Sequence, residues 1–161
     1  MLARSDARDR RGAGAVSSRV MSDPSLTVEA RMTRSVVTMD EDQSLREAIA
    51  LMQRHRIRHV PIVSGDAILG ILTDRDVKRA TPSLLSGVSQ EEFDRVLSTT
   101  TVSHVMTRNP YTITLSTSLR DAVKLMLDRR FSSLPVVEAG RLIGILTITD
   151  LLRTLHEMLE D

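Results

Sequence analysis

Two threonine–aspartate pairs carry the chemistry this sequence has to offer. Thr73 precedes Asp76 in Gly70-Ile71-Leu72-Thr73-Asp74-Arg75-Asp76, and Thr147 precedes Asp150 in Gly144-Ile145-Leu146-Thr147-Ile148-Thr149-Asp150. An apolar strand ends at each threonine and a helix starts within two residues. Backbone N–H groups at such a helix start point outward, toward a spot that suits an anion. The carboxylate one turn on has two acceptor oxygens, enough to hold a vicinal diol such as ribose. For one copy, the simpler account is a helix cap. Two copies at the same strand-to-helix junction favour a ligand.

A second set of polar residues differs between the two halves. Arg56-Ile57-Arg58-His59 precedes Val60-Pro61, whereas Arg130-Phe131-Ser132-Ser133 precedes Leu134-Pro135. The basic group could meet phosphates, or it could simply complement the dipole at a helix C-terminus. His55 and His59 have the i, i+4 spacing of a helical metal pair, but no carboxylate or thiol nearby completes a ligand set, so no metal is expected. The sequence has no glycine-rich phosphate loop, no Gly-x-Ser-x-Gly elbow and no His/Asp/nucleophile grouping, so no enzyme is expected.

The elements that must position these residues are written twice. Met32-Thr33-Arg34 and Met106-Thr107-Arg108 stand 74 residues apart, and the same offset joins Ser44 to Ser118, Pro61 to Pro135, Gly70 to Gly144 and Asp76 to Asp150. A gapless duplication means one unit used twice, with sites between the copies in two related versions. In the first copy Val36 to Met39 reads as a strand. Ser44-Leu45-Arg46-Glu47 reads as a capping box, with Leu45, Ala48, Ile49 and Met52 on one helix face. Val60 to Val63 and Ala67 to Leu72 read as strands about a turn at Ser64-Gly65-Asp66, and a second helix starts at Thr73. The second copy repeats this order, with strands at Thr112 to Thr114, Leu134 to Val137 and Leu142 to Leu146. Its helices start at Ser118 and at Thr149. The expected class is mixed α/β of the α+β type: two β-α-β-β-α repeats packed as a pseudo-two-fold pair. Between them, Ser89-Gln90-Glu91-Glu92 reads as a third capping box on a short linker helix. Residues 1–24 read as a disordered arginine-rich tail, 25–80 as repeat one, 81–101 as the linker and 102–161 as repeat two.

Composition narrows the function classes. In 161 residues, 41% are hydrophobic but only 2% aromatic, so Val, Ile, Leu, Met and Ala must build the core. Zero cysteines removes disulfides and thiolate chemistry and suits a cytoplasmic location. The longest apolar stretch, Ala67 to Leu72, is far too short for a membrane span, so a soluble protein is expected. The net charge of +1 depends on Arg4, Arg8, Arg10, Arg11 and Arg19 in the tail, and the body after them is slightly acidic. Such a body has neither the basic face nor the aromatic platforms that nucleic acid binding uses. Control of transcription or RNA by the basic tail ranks last among the readings.

The Met-Thr openings, the Val-Pro-Ile-Val and Leu-Pro-Val-Val strands and the duplicated Gly-Ile-Leu-Thr-x-x-Asp together resemble a tandem pair of CBS (cystathionine beta-synthase) domains, the Bateman module. The resemblance covers about Val28 to Leu159. It implies a regulatory adenosine-nucleotide sensor whose ligand is AMP, ADP, ATP or S-adenosylmethionine. It places the ribose hydroxyls on Asp76 and Asp150, with Thr73 and Thr147 beside them. It places adenine against Val37 and Thr38 with Val60, and against Tyr111 and Thr112 with Leu134.

Phosphate contacts in such modules often cross between repeats. The site on Asp150 would then gain Arg58 and His59 and prefer a charged nucleotide. The site on Asp76 would receive Ser132 and Ser133, with Arg75 as partial compensation. The resemblance further implies a disc-shaped homodimer through second-helix faces bearing Val77, Leu151, Leu152 and Leu155, and a regulated protein partner. The alternative is an interaction module that binds no nucleotide.

Overall fold

In the computed structural model, which describes residues 26–83 and 87–160, the chain runs α1 (Val28–Arg31), β1 (Met39–Asp40), α2 (Leu45–His55), β2 (His59–Ser64), β3 (Ala67–Thr73) and α3 (Asp74–Ala80). It continues through α4 (Gln90–Thr99), a 3-10 turn (Val102–His104), β4 (Thr107–Arg108), α5 (Leu119–Arg129), β5 (Ser133–Glu138), β6 (Arg141–Thr147) and α6 (Ile148–Glu160). The expected tail lies outside the described residues.

Side-chain caps start the helices where the sequence places them. Ser44 Oγ accepts from Glu47 N, and Glu47 Oε2 accepts from Ser44 N at 2.7 Å, a complete capping box. Ser118 Oγ accepts from Asp121 N at 3.0 Å. The box expected at Ser89 is half made: Ser89 Oγ accepts from Glu92 N at 3.1 Å, without a return bond from the Glu92 carboxylate. Leu45, Ala48 and Met52 on α2, and Leu119, Ala122 and Met126 on α5, are the buried stripe of each helix. Each stripe packs on an antiparallel hairpin, β2 with β3 and β5 with β6, in matching register: Pro61 faces Ile71 and Pro135 faces Ile145.

The first strand of each repeat is shorter than the β-branched runs predict. Only Met39 and Asp40 pair with β2, and in the second repeat Ile113 makes a single bridge to Val136. A local β preference makes a strand only where a partner backbone lies alongside, and Val36 to Thr38 have none.

Each repeat lends its opening segment to the other. β4, which precedes the second repeat's helices, pairs with β3 through Thr107 and Ile71. Thr33, at the same place in the first copy, bridges Ile145 of β6. The side chains follow the backbone. Met106 joins the first core with Leu45, Ile62 and Leu72, while Val28 and Met32 join the second with Leu119, Leu134 and Leu146. The repeated glycines are there for these methionines: a Cβ at Gly70 would stand 2.4 Å from Met106 Sδ, and one at Gly144 2.5 Å from Met32 Sδ. Met-Thr and Gly-Ile-Leu-Thr are therefore two halves of one contact, made twice between the copies.

Helix α4 packs Phe93 and Leu97 against the first core, and Arg46 on α2 holds Asp94 at 2.7 Å. No helix among the described residues is long and apolar enough to cross a membrane.

Candidate functional site

Thr73 and Asp76 cap α3 together. Asp76 Oδ2 accepts from Thr73 N at 3.0 Å and from Thr73 Oγ1 at 2.6 Å, and Thr73 Oγ1 accepts from Asp76 N at 3.2 Å. Thr147 and Asp150 repeat the arrangement at 2.8, 2.7 and 3.3 Å. The helix-cap account of Thr-x-x-Asp is thus present in both copies. It consumes one carboxylate oxygen in each and leaves the other.

That second oxygen separates the two copies. Asp150 Oδ1 accepts from Thr33 Oγ1 at 3.2 Å and from Arg153 Nη1 at 3.4 Å, and the residue is buried. Asp76 Oδ1 receives no donor from the described residues, and Asp76 stands in the wall of a cavity of about 530 Å³. A volume of that order suits a small-molecule ligand. Both repeats build the walls. The start of α3 contributes Thr73, Asp74, Arg75, Asp76 and Arg79, β4 and the turn after it contribute Thr107 to Tyr111, and Arg130 to Ser133 arrive from the far side.

The cavity is basic. Arg75, Arg79, Arg108 and Arg130 line it with His59, against Asp74 and Asp76. Asp74 is already held by Lys78 at 3.0 Å, which keeps its carboxyl below the usual range. His59 shares a 2.7 Å hydrogen bond between Nε2 and Ser132 Oγ, a contact across the repeats. Burial holds the His59 imidazole below its ordinary 6.5; Asp74 and Asp76 oppose that shift and Arg58 adds to it. At the rim, the Tyr111 and Phe131 rings meet at 5.3 Å with a 41° tilt, and the Arg129 guanidinium sits 5.3 Å from the Tyr111 centroid. Tyr111 is half exposed, and Arg129 and Phe131 both lie against its ring.

Of the residues singled out from sequence, His59, Thr73, Arg75, Asp76, Tyr111, Ser132 and Ser133 come together in this cavity. Ser132 and Ser133 line the Asp76 cavity from the opposite repeat. His59, expected to serve Asp150, lines the Asp76 cavity instead. Tyr111, expected beside Thr112 and Leu134, is carried there by the exchanged strand β4. Val60 and Leu134 are fully buried in the two cores, too deep for their side chains to touch a ligand. Val37, Thr38, Thr112 and Arg58 are outside the cavity wall, and the Arg58 carbonyl accepts from Asp74 N at 3.0 Å. The arginines that line the Asp76 cavity are Arg75, Arg79, Arg108 and Arg130, and not the Arg58 expected to serve Asp150. Sequence reasoning missed Arg79, Arg108 and Arg130 there. Arg108 closes the Met-Thr-Arg motif, and only the strand exchange reveals which site it serves.

The model of the CBS domain matches residues 18–83 and 102–157. The chain belongs to the CBS domain family. It is 36% identical over 135 residues to a CBS domain-containing protein of Dictyostelium discoideum, covering 83% of this chain and 93% of that one. Its CBS pair superposes on the structure of CBSX2 in complex with AMP at a TM-score of 0.67 and 27% identity, covering 82% and 97% of the two chains. The CBS domain pair of protein MJ0100, in complex with 5′-methylthioadenosine and S-adenosyl-L-methionine, matches at a TM-score of 0.66 and 26% identity, covering 80% and 98%.

Proposed function

We propose that this CBS pair is a non-catalytic sensor that binds an adenosine nucleotide in the cavity at Asp76 and transmits occupancy to a protein partner. The unengaged Asp76 Oδ1, in a cavity walled by both repeats, carries the reading. That oxygen is the acceptor a ribose diol requires, and Tyr111 and Phe131 offer a surface for the base. The similar CBSX2 and MJ0100 pairs, with their adenosine ligands, support the ligand class.

A ligand that touches both repeats favours whichever arrangement closes on it, by as much as its affinities for the two states differ. That arrangement is the signal. The partner surface we favour is the exposed stripe of α6, where Ile148, Leu152, Leu155 and Leu159 follow helical spacing. A second copy of the chain on this stripe gives a homodimer. Val77 and Leu151, expected on the same surface, face inward: Val77 is buried in the first core and Leu151 packs on the second.

Thermal melting with adenosine, AMP, ADP, ATP and S-adenosylmethionine tests the site. A ligand that binds only the native state raises its stability by mass action. The shift is expected in wild type and in Asp150→Ala, and lost in Asp76→Ala. No shift with any ligand would leave a pure interaction module.

A further inference from the structure

The arginines divide by place. Arg34 is paired with Glu29, Arg46 with Asp94, Arg141 with Asp66 and Arg153 with Asp150. Arg54 and Arg56 at the end of α2, Arg75 and Arg79 on α3 and Arg130 at the end of α5 are exposed, and none of them has an ion-pair partner among the described residues. Packing brings this second group to one region. Arg75, Arg79 and Arg130 line the Asp76 cavity, and Arg56 stands two residues before Arg58, whose carbonyl accepts from Asp74 N at the start of α3. No acidic residue lies between Glu47 and Asp66. Of the carboxylates in the cavity wall, Asp74 is held by Lys78 and Asp76 by the Thr73 cap. The net charge of +1 conceals this concentration. Unpaired like charges so placed repel one another unless an anion lies among them. A mononucleotide phosphate brings between one and two negative charges, and Arg54 and Arg56 stand outside the cavity wall it would occupy.

Resting on the reading of Asp76 as the ribose acceptor, we infer that the cavity also accepts the 3′-terminal nucleotide of a single-stranded RNA, whose preceding phosphates run over Arg75, Arg79, Arg56 and Arg54. The diol decides which polyanion fits. Asp76 Oδ1 is the acceptor for vicinal hydroxyls. In an RNA strand every internal ribose has its 3′ oxygen tied up in a phosphodiester, and only the last ribose keeps both hydroxyls. DNA has no 2′ hydroxyl at all. The terminal ribose therefore takes the place of the mononucleotide, and its 5′ phosphate leads out to the next residue instead of ending in the cavity. Arginine suits such a run, because its planar fork meets two phosphate oxygens at once whatever base is attached. An acidic protein segment would neutralise the same arginines but has no diol to give Asp76.

The test is fluorescence anisotropy of the full chain with a 5′-labelled RNA of about eight nucleotides ending in adenosine. Beside it stand the same RNA with a 3′ phosphate, the matching DNA and a polyglutamate peptide. The arginine-rich N-terminal segment attracts both RNA strands, so the difference between them reports the cavity. The free 3′ end should bind about ten-fold more tightly than the 3′-phosphorylated strand and the DNA, as one hydrogen bond to a charged group allows, and AMP should displace it. Asp76→Ala should abolish that difference. Arg54→Gln together with Arg56→Gln should weaken RNA binding, lower the slope of log affinity against log salt by about 1.4, and leave AMP affinity by calorimetry unchanged. Equal binding of the two RNA strands, or a double variant that binds RNA like wild type, would overturn the inference. Polyglutamate binding as tightly as the free-ended RNA would overturn it in favour of an acidic protein segment. AMP binding with RNA no tighter than AMP would overturn it while leaving the nucleotide site standing. If neither AMP nor RNA binds wild type, both readings fall.

Discussion

The Thr33 hydroxyl stands 3.2 Å from Asp150 Oδ1, whereas Thr107, its counterpart 74 residues on, makes no such bond to Asp76. One contact of the exchanged N-terminal segment thus distinguishes two otherwise matching caps. With Arg153 on the same oxygen, the carboxylate of the second repeat is spent inside the protein. In the first repeat, Asp76 Oδ1 accepts no bond from the described residues.

From this asymmetry the expected stoichiometry is about one nucleotide per chain, measured by titration calorimetry. Asp150→Ala should leave that number unchanged but lower the melting temperature. It strips the acceptor from Thr147 N and from Thr33, a loss of about 1–2 kcal/mol on the scale of other helix caps. Two equivalents in wild type would sink the idea of a closed second site.

The exchanged methionines predict an ordering of two glycine substitutions. In Gly70→Ala the new methyl would meet Met106 Sδ and also the Thr107 carbonyl oxygen at 2.9 Å, whereas in Gly144→Ala the Thr33 carbonyl oxygen is 3.2 Å away. A methionine can swing aside, but a paired backbone cannot. Denaturant unfolding should show both variants destabilised within the usual overpacking range of about 1–3 kcal/mol, with Gly70→Ala the worse. The reverse order would mean that the methionines, rather than the backbone, set the cost.

Acid should weaken the empty protein through His59. In the unfolded chain the ring protonates near its ordinary 6.5, while in the folded cavity burial holds its pKa lower. Between those two values the unfolded state binds more protons, so stability falls as the pH drops through that window. Thermal melts from about pH 7.5 to about pH 5.5 should show a steeper loss in wild type than in His59→Gln, which has nothing to titrate there. Parallel curves would mean the ring is as easily protonated folded as unfolded.

The α6 stripe predicts the assembly state. Leu152 and Leu155 are 60% and 51% exposed, so placing a charge there disturbs no core. Light scattering should find a dimer for wild type and a monomer for Leu152→Glu. A monomeric wild type, or a dimer that survives the charge, would remove α6 from the interface.

Much of this molecule is decided locally and is therefore visible in the sequence. Ser44, Thr73, Ser118 and Thr147 cap helices because a hydroxyl three residues before a backbone N–H reaches it whatever the rest of the chain does. The hairpins follow from turn residues between apolar runs, and Gly65 takes the positive φ of 59° that its turn requires. The duplication gave the pseudo-symmetry, and the Thr-x-x-Asp pairs marked the two places where a ribose acceptor could stand.

Which of those places is open was decided by tertiary structure. The 74-residue offset makes Asp76 and Asp150 equivalent on paper, and the basic Arg58 and His59 drew the expected charged site to Asp150. Strand exchange moved the partners instead. It set Thr33 against Asp150 and brought Arg108 and Tyr111 into the Asp76 cavity, where His59 of the first repeat also meets Ser132 of the second. The residues that make these contacts lie far apart in the chain, 117 positions for Thr33 and Asp150 and 73 for His59 and Ser132. Local spacing determines what a side chain can do, but only the packing of one repeat on the other determines whether a protein group has already claimed it.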